Sequence, residues 1–216
     1  MVVLIRTIQK RGNHKLKNII KKCKYRLSFG GSTLRHKEVE YLINSYFKHK
    51  DWSKVIDEAV NNNIFQFKST SSTKRVAGEL CIRLRNLNSD EMECYLETNQ
   101  FDQNTICWIS VCRTYQFIRD FTIQVVLESY NSPRKELSHA DFEFFFEEQA
   151  QWHSELNKST HITKRTLRNV LFRMMREVGF LTPFNQLQPI IRPESFYDFN
   201  TTLQQEMESY VPGVLL

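Results

Sequence analysis

One helical segment near the C-terminal end constrains this chain more than any other feature. Between residues 163 and 178, apolar side chains recur at spacings of three and four, which places them on one stripe of an α-helix. Thr163 is placed to cap the first turn, and Gly179 to adopt the left-handed conformation that ends a helix. The stripe consists of Leu167, Val170, Leu171, Met174, Met175 and Val178, and the other side carries Lys164, Arg165, Arg168, Arg173 and Arg176.

The residues around this helix predict a C-terminal winged-helix unit. After the helix, residues 180–192 form two short extended runs around Pro183, Phe184 and Asn185, which is the pattern of a β-hairpin. Before it, residues 138–153 form an acidic helical segment that would support the cationic helix against a nucleic acid. In the alternative interpretation, the Lys and Arg side chains only keep the outer side of an ordinary helix in water.

The basic charge is concentrated at the N-terminal end. The net charge is +6, but residues 1–26 hold nine of the 30 basic residues and no acidic residue. The remaining chain has 21 basic residues against 24 acidic ones, so any affinity of the body for nucleic acid must come from local patches. With 41% apolar and 12% aromatic residues, this body is long and apolar enough to bury a core.

The basic arm, residues 1–24, has three possible roles. Leu16, Ile19, Ile20 and Cys23 recur at helical spacing among the lysines. The arm could lie along a nucleic-acid backbone, lie on an anionic membrane surface, or form a disordered extension. A secretory signal is not indicated, because the apolar start is too short and the charges follow it.

No segment of the sequence is suited to cross a membrane. The most apolar stretch, residues 105–130, is interrupted by Arg113, Arg119 and Asp120, which leaves charge-free runs of ten residues or fewer. About twenty are needed, so this stretch predicts a buried pair of helices. The five cysteines show no metal-ligand spacing, which predicts reduced thiols in a cytoplasmic protein.

The N-terminal part predicts a second, weaker helix-turn-helix unit. Three helical stripes run through residues 42–47, 52–60 and 76–87, and the polar linker FKSTSST leads into the third, which carries Lys74 and Arg75. The alternative is an ordinary three-helix bundle. The turn at residues 131–133 marks the best boundary, which gives an N-terminal helical domain at 25–131 and a winged-helix-like domain at 132–216.

The sequence carries no catalytic pattern. The pair Gly30-Gly31 lacks both the lysine of a phosphate loop and the three-glycine spacing of a dinucleotide turn. A helix that begins after two glycines could still hold an anion through its free N–H groups, although a tight entry turn capped by Ser32 is the simpler interpretation. The six histidines and the serines form no zinc motif and no nucleophile elbow. We therefore expect no enzyme activity, no metal or other cofactor and no small-molecule substrate.

From about Tyr25 to about Asn200, the chain resembles the BrxA family of the bacteriophage exclusion (BREX) defence systems. The resemblance lies in YRLSFGGSTL, in STSSTKRVAGELCIRLRNL, and above all in TKRTLRNVLFRMMREVGFLTP followed by LQPIIRPE. It implies a small, mainly helical, DNA-binding protein that is encoded beside a DNA methyltransferase, a large ATPase and other defence components. These components are the protein partners that the resemblance implies, and the cationic helix is where it places nucleic-acid contact.

Together, these observations predict a mainly α helical bundle that binds double-stranded DNA as a non-catalytic accessory of phage defence. Residues near the start of the cationic helix should enter or border the major groove of DNA, and the cations later in the helix should contact phosphates. Two alternatives are a scaffold that docks other defence subunits, and an RNA-binding factor that stacks bases on an aromatic side chain such as Phe172. The predicted groove contacts are Lys164, Arg165 and Arg168, the predicted phosphate contacts are Arg173, Arg176 and Arg192, and the second unit adds Lys74 and Arg75.

Overall fold

The computed structural model of the chain describes residues 24–190 and 201–213, and helices dominate both ranges. A short 3-10 helix, Ser28–Gly31, precedes the first α-helix, and a π-helical segment, Thr122–Val126, joins α6 to α7. The mainly helical fold predicted from the sequence is thus confirmed for these residues. The helices are α1 His36–His49, α2 Trp52–Asn61, α3 Thr70–Leu84, α4 Ser89–Glu97, α5 Gln100–Thr114, α6 Gln116–Phe121, α7 Leu127–Asn131, α8 His139–Ala150, α9 Ser154–Asn157, α10 His161–Val178 and α11 Thr201–Tyr210.

Polar side chains placed just before the helices determine where several of them begin. Asn88 and Ser138 each accept a hydrogen bond from a first-turn amide, while Glu91 and Asp141 accept from the backbone N–H of the cap residue in return. These reciprocal bonds form capping boxes, which satisfy donors that a helix start otherwise leaves without a partner. Asn99 caps α5 in a simpler way, by accepting from two first-turn amides.

Helix α5 forms the centre of the hydrophobic core. Every residue from Asp102 to Cys112 is buried, and the helix contacts α1, α3, α4, α6, α10 and α11. The Trp108 indole N–H donates to the Tyr210 carbonyl oxygen at 2.9 Å, which ties α11 to the centre. A helix that is enclosed on all sides must be apolar around most of its circumference, as the sequence of residues 105–112 is. Of the predicted pair of buried helices, the first is therefore confirmed, whereas the second is only partly buried, because residues 127–131 include no buried side chain. Within the two described ranges, no helix has the length and apolar composition that a membrane crossing requires.

The helical hydrogen bonding changes register between α6 and α7. In the π-helical segment the Leu127 N–H donates to the Thr122 carbonyl oxygen, five residues back instead of four. The Thr122 side chain also bonds within this run, donating to the Ile118 carbonyl oxygen at 2.8 Å. Both Thr122 and Val126 are buried, so the widened turn faces the core.

The predicted β-hairpin wing is wrong. In the described residues no strand forms, and residues 180–188 instead reverse in a tight turn with isolated bridges, one of which joins Leu181 to Leu187. The turn is closed by a hydrogen bond from Thr182 N–H to the Gln186 carbonyl oxygen at 2.9 Å and by Asn185 at a φ of 63°. Pro183 and Pro189 lack the N–H donors that a longer ladder would require.

Side-chain contacts join helices α8 and α10. Contacts between them pair His139 with Phe172, Glu143 with Arg168 and Glu147 with Lys164. Residue numbers therefore rise along α8 as they fall along α10 in these three contacts. The missing wing corrects the winged-helix prediction, and its helix-turn-helix part stays a prediction.

The N-terminal helices form where the sequence predicts them. Helices α1, α2 and α3 contact one another pairwise, which is the arrangement of the three-helix bundle alternative. Helix α3 begins at Thr70, four residues earlier than the predicted Lys74. The basic arm up to Cys23 and the predicted contact Arg192 lie outside the described residues. The proposed domain boundary after residue 131 stays a prediction, and the hydrophobic core contains residues from both sides of it.

Candidate nucleic-acid interface

The apolar stripe of α10 faces the core as predicted. Leu167, Leu171, Met174, Met175 and Val178 are buried, and Val170 is partly buried. Gly179 ends the helix at a φ of 100°, as its left-handed assignment requires. The predicted cap is wrong by one turn, because Thr160 and not Thr163 accepts the capping bond. Phe172 is buried at 1% exposure, so its side chain is not free to stack on a base.

Two of the predicted DNA contacts on α10 lie in ion pairs with the acidic helix α8. The Lys164 Nζ lies 2.5 Å from a Glu143 carboxylate oxygen and 3.1 Å from one of Glu147, and Arg168 donates to Glu143 at 2.8 Å. Their side chains are only 14% and 19% exposed. Lys164 and Arg168 thus lie opposite the apolar stripe, as predicted, but they are bound to α8, and their contact with DNA stays a prediction. The spacing of four on each helix, 143 and 147 against 164 and 168, was the sequence signal for this pairing.

These ion pairs stabilise the charged forms of their partners. Burial raises the pKa of Glu143, but hydrogen bonds from Lys164 and Arg168 outweigh it and leave that pKa below its usual value. Burial likewise lowers the pKa of Lys164, and its bonds to Glu143 and Glu147 more than compensate, so the pKa is raised. Glu143 and Lys164 are therefore both ionised near neutral pH.

Arg176 stabilises the turn that follows α10. Its Nη2 donates to the Asn185 side-chain oxygen at 2.6 Å, and its Nε donates to the Thr182 carbonyl oxygen at 3.4 Å. The guanidinium also lies 5.9 Å from the centre of the Phe172 ring. Arg176 therefore helps to hold Asn185 in its left-handed conformation, and the sequence did not reveal this structural role.

The cations of α10 that bind neither α8 nor the following turn lie on what we call the outer face of the helix. We use this name for the exposed residues His161, Ile162, Arg165, Asn169 and Arg173. Among the described residues, no carboxylate pairs with Arg165. Arg173 is 70% exposed, and its pair with Glu177 at 3.0 Å is the ordinary surface pair of residues four apart on a helix. The outer face thus carries two cations directed toward solvent.

The two glycines near the start of the described chain bring α3 and α10 together. A methyl group on Gly31 would collide with the guanidinium of Arg75, and one on Gly30 would lie 3.2 Å from Leu167. The glycine loop, residues 30–33, is therefore packed between the basic part of α3 and the side of α10. Lys74 and Arg75 are both exposed, and Arg75 is the one shown to contact this loop. Arg173 of α10 lines the same cleft as the loop, so cations from two separate segments of the sequence lie near it, which sequence analysis did not foresee.

A buried arginine fixes the glycine loop in place. Arg83 of α3 is only 3% exposed and donates to the carbonyl oxygens of Ser32 at 2.9 Å and Thr33 at 2.7 Å. Its Nε donates to the Tyr115 hydroxyl, which in turn donates to Glu79. On the other side, Glu177 of α10 accepts from the Leu34 N–H at 2.9 Å. A loop whose carbonyl groups are held by buried partners keeps a defined shape.

A separate set of exposed side chains is apolar. Phe144 on α8 is 73% exposed, Ile162 on α10 is 77% exposed, and Phe184 in the turn is 84% exposed. Trp152, after α8, is 55% exposed. Single exposed apolar residues are common, but large aromatic ones are enriched at protein interfaces. Across the described part of the chain, no group of three or more His, Cys, Asp or Glu side chains is placed to hold a metal ion.

Comparison with known proteins gives consistent results. The sequence model of the family described as BrxA matches residues 23–200. A protein described as "BREX protein BrxA" from Bacillus cereus is 27% identical over 160 residues, which cover 74% of this chain and 78% of that protein. A crystal structure of an uncharacterized protein from Magnetospirillum magneticum superposes with a TM-score of 0.70 at 16% identity, covering 87% of this chain and 96% of that chain. At this identity, the structural likeness shows a shared fold.

Proposed function

Because the chain belongs to the BrxA family, we propose that it is a non-catalytic, double-stranded-DNA-binding accessory of a BREX defence system against phage. The name of the Bacillus cereus relative supports the assignment to such a system. The observation that supports the DNA-binding part is that two exposed cations, Arg75 of α3 and Arg173 of α10, lie near the same glycine loop.

The proposed contact surface consists of Lys74 and Arg75 on α3 and Arg165 and Arg173 on α10. All four are exposed, and a cationic surface attracts the phosphate backbone whatever its sequence. Phosphate contacts position a protein on the duplex without specifying a base sequence. Lys164 and Arg168 are left out of the proposed surface because they already bind Glu143, and Arg176 because it binds the turn.

The salt dependence of duplex binding tests this proposal. We expect a mixed-sequence duplex to bind with a dissociation constant on the order of micromolar or weaker near physiological salt, and to dissociate steeply as salt is raised. Fluorescence anisotropy of a labelled duplex at several salt concentrations measures the slope. Binding that stays constant between low and high salt would contradict a phosphate-binding surface.

Two matched double variants separate the outer face from the ion-paired face of α10. Arg165→Ala with Arg173→Ala should lower the salt slope by about one for each phosphate that is no longer neutralised, with little change in melting temperature. Lys164→Ala with Arg168→Ala removes the same charge but should mainly lower the melting temperature, because Glu143 is then left without either cation. If the second pair flattens the salt slope as much as the first, the assignment of the outer face is wrong.

A scaffold function is the second candidate, and the exposed aromatic residues favour it. Phe144 is largely exposed, and Glu147, about one turn further along α8, is 76% exposed, so this face of α8 suits a protein partner better than DNA. Other BREX proteins, including the methyltransferase and the ATPase, are the natural partners to test. Binding to such a partner should depend little on salt and should weaken when Phe144 is replaced by Ser, while duplex binding is unaffected.

A further inference from the structure

The basic arm leaves the described body beside the end of α8. Tyr25, the first buried residue, stacks on the His153 ring with 3.8 Å between the ring centres, and its backbone N–H donates to the Glu155 carboxylate. Its hydroxyl lies 3.1 Å from the Gln149 side-chain oxygen. Gln149 belongs to the last turn of α8, and His153 and Glu155 follow that helix. The chain before Tyr25 therefore starts from the C-terminal end of α8.

One face of α8 is exposed, partly aromatic and acidic. Phe144 is 73% exposed, and Trp152, two residues beyond the helix, is 55% exposed. Glu147 is 76% exposed, and Glu148 is exposed as well. Residues four apart share one side of a helix, so Phe144 and Glu148 lie together, and Trp152 follows at the same spacing. We call these four residues the α8 face. Residues 139–152 include no Lys or Arg, so the α8 face suits an occupant that is both apolar and basic.

The basic arm has the complementary chemistry. Residues 1–24 carry eight Lys and Arg side chains and no acidic one, and five of the eight fall between residues 15 and 24. The spacing of the apolar residues among these lysines predicts one apolar side with basic flanks. Such a segment is suited to cover exposed aromatic rings while its lysines approach carboxylates. The apolar residues of this stripe are Leu16, Ile19, Ile20 and Cys23.

The arm begins close enough to the α8 face to reach it. From Gln149 back to Phe144, the helix rises about 7.5 Å at 1.5 Å per residue. Residues 16–23 span about 12 Å as a helix and about 26 Å when extended, so they cover this distance in either form. The attachment at Tyr25 also keeps the segment near the face at an effective concentration on the order of millimolar, so that even a weak contact is populated.

We propose that the apolar stripe of the basic arm docks on the α8 face of its own chain, with lysines of the arm beside Glu147 and Glu148. A DNA backbone or an anionic membrane surface is repelled by these carboxylates, whereas the arm is attracted by them. A duplex competes with the α8 face for the same lysines, so the arm leaves α8 when it contacts DNA. This proposal does not rest on duplex binding by α3 and α10.

The proposed contact is reversible and is not part of the folded core. A small exposed face and a tethered segment at about millimolar effective concentration give a docking equilibrium constant on the order of one. Docking then changes the ratio of folded to unfolded chain, and the affinity for a competing duplex, by about a factor of two or less. This is too little to move the melting temperature noticeably. The test therefore has to measure the position of the arm and not the stability of the fold.

A spin label on the arm tests the proposal in the full chain. Cys23→Ser with Asn13→Cys leaves one accessible thiol, because the four cysteines of the described chain are buried. A nitroxide attached to that thiol broadens the amide NMR signals of residues near it. We expect stronger broadening in residues 139–148 of α8 than in α6, residues 116–121. The difference should disappear as salt is raised, since exposed charges are then screened.

Helix α6 is the internal reference for an arm that does not dock. The Tyr25 hydroxyl donates to Asp120 at 2.9 Å and lies 3.1 Å from Gln149, so α6 and the end of α8 are equally close to the start of the arm. Residues 139–148 precede Gln149 and extend away from this point. An arm without a docking site therefore broadens α6 at least as strongly as these residues. That result would overturn the proposal and leave the α8 face to a protein partner.

Charge reversal tests the ionic part of the contact. Glu148→Lys should abolish the preferential broadening of α8, and the further change Lys21→Glu should restore part of it. Glu93→Lys is the matched control, because Glu93 on α4 is exposed and forms no ion pair with a described residue. If Glu148→Lys and Glu93→Lys have the same effect, the α8 face does not hold the arm and the proposal fails.

Substitutions within the arm test the apolar part without any risk to the fold of the described body. Ile19→Ser with Ile20→Ser should lower the docking constant about tenfold, because both side chains belong to the apolar stripe. Asn18→Ser, beside them in the sequence but polar, should leave it unchanged. Equal broadening of α8 in these two variants would contradict docking through the stripe.

A mixed sample assigns the docked arm to its own chain. Spin-labelled chain without isotope is mixed with isotope-labelled chain that carries no spin label, so only contacts between two copies broaden the signals. We expect no broadening of α8 in this mixture. Broadening there would mean that the arm of a second copy occupies the α8 face, which would overturn the intramolecular assignment.

Discussion

At the scale of single residues, Glu143 is the carboxylate on which the contact between α8 and α10 depends most. It accepts from both Lys164 and Arg168, and its side chain is 34% exposed. The cost of removing it from water raises its pKa, but the two cations outweigh that cost and lower the pKa in the folded state. Its stabilising effect is therefore present above the pKa of the unfolded chain, about 4.3, and is lost as the pH falls through the lower folded-state pKa.

Glu143→Gln should accordingly lower the melting temperature at pH 7, and this difference from the wild-type protein should shrink below about pH 4. Thermal unfolding followed by circular dichroism between pH 3 and pH 7 measures it. Glu148→Gln is the matched control, because Glu148 lies on the same helix, is exposed and forms no ion pair with a described residue. A difference that stays constant with pH would show that Glu143 acts through packing and not through its charge.

At the scale of helices, two glycines in similar sequence contexts have opposite roles. Gly179 ends α10 at a φ of 100°, and a methyl group there would lie 3.0 Å from the Phe101 ring. Gly78 lies within α3, and nothing lies within 4 Å of the position that a methyl group would take. The first glycine is required by its backbone and its neighbour, and the second only adds flexibility to the unfolded chain.

Gly179→Ala should therefore destabilise the protein by about 1–2 kcal/mol from backbone strain, with any collision with Phe101 adding to this. Gly78→Ala should stabilise it by about 0.5–1 kcal/mol. Urea unfolding of both variants measures the two free energies. A loss of stability in Gly78→Ala would mean that α3 packs more tightly at that point than the structure indicates.

The positions of the helices could be predicted from the sequence better than the way in which the helices pack against each other. Periodicity alone identified the buried stripe from Leu167 to Val178, since burial of one helix side leaves a direct trace in the sequence. It could not show that Arg168 faces α8, because the angle between two helices depends on packing that one helix does not encode. The prediction of a β-hairpin wing failed for a related reason. The extended residues around Pro183 resemble a hairpin in sequence, but a β-ladder needs backbone N–H donors, which the prolines lack.

At the scale of the whole molecule, the thiols report on the integrity of the core. Cys81, Cys94, Cys107 and Cys112 are all buried, and they are free thiols, as the sequence predicted. Burial raises the pKa of both Cys81 and Cys107 to about 12, so little reactive thiolate is present near neutral pH. All four thiols are distributed over α3, α4 and α5, which lie around the centre of the core.

In a Cys23→Ser protein, which retains these four thiols, we expect a thiol reagent at pH 8 to react slowly in buffer and fully in denaturant. The rate in increasing urea should follow the global unfolding curve, since the thiols become accessible only when the core opens. Absorbance at the reagent wavelength gives the rate. Fast reaction of one thiol in buffer would reveal local opening near that cysteine.

The basic arm should add charge to DNA binding without adding stability. The described core begins at Tyr25, which is 2% exposed and donates through its hydroxyl to Asp120 at 2.9 Å. Deletion of residues 1–24 should flatten the salt dependence of duplex binding and leave the melting temperature unchanged. Binding and unfolding of the truncated and full-length proteins provide the measurement. A lower melting temperature after deletion would mean that the arm packs on the body.

The widened turn at residues 122–126 has a consequence for how relatives of this chain should be aligned. A hydrogen bond that spans five residues accommodates one residue more than an α-helical turn, so side chains after it are rotated by about 100° relative to an uninterrupted helix. A relative without that extra residue would keep the same three-dimensional helix path but would need a one-residue gap between Gln116 and Asn131. Alignments that penalise gaps inside helices would then compare residues from different faces of this helix and underestimate the true similarity.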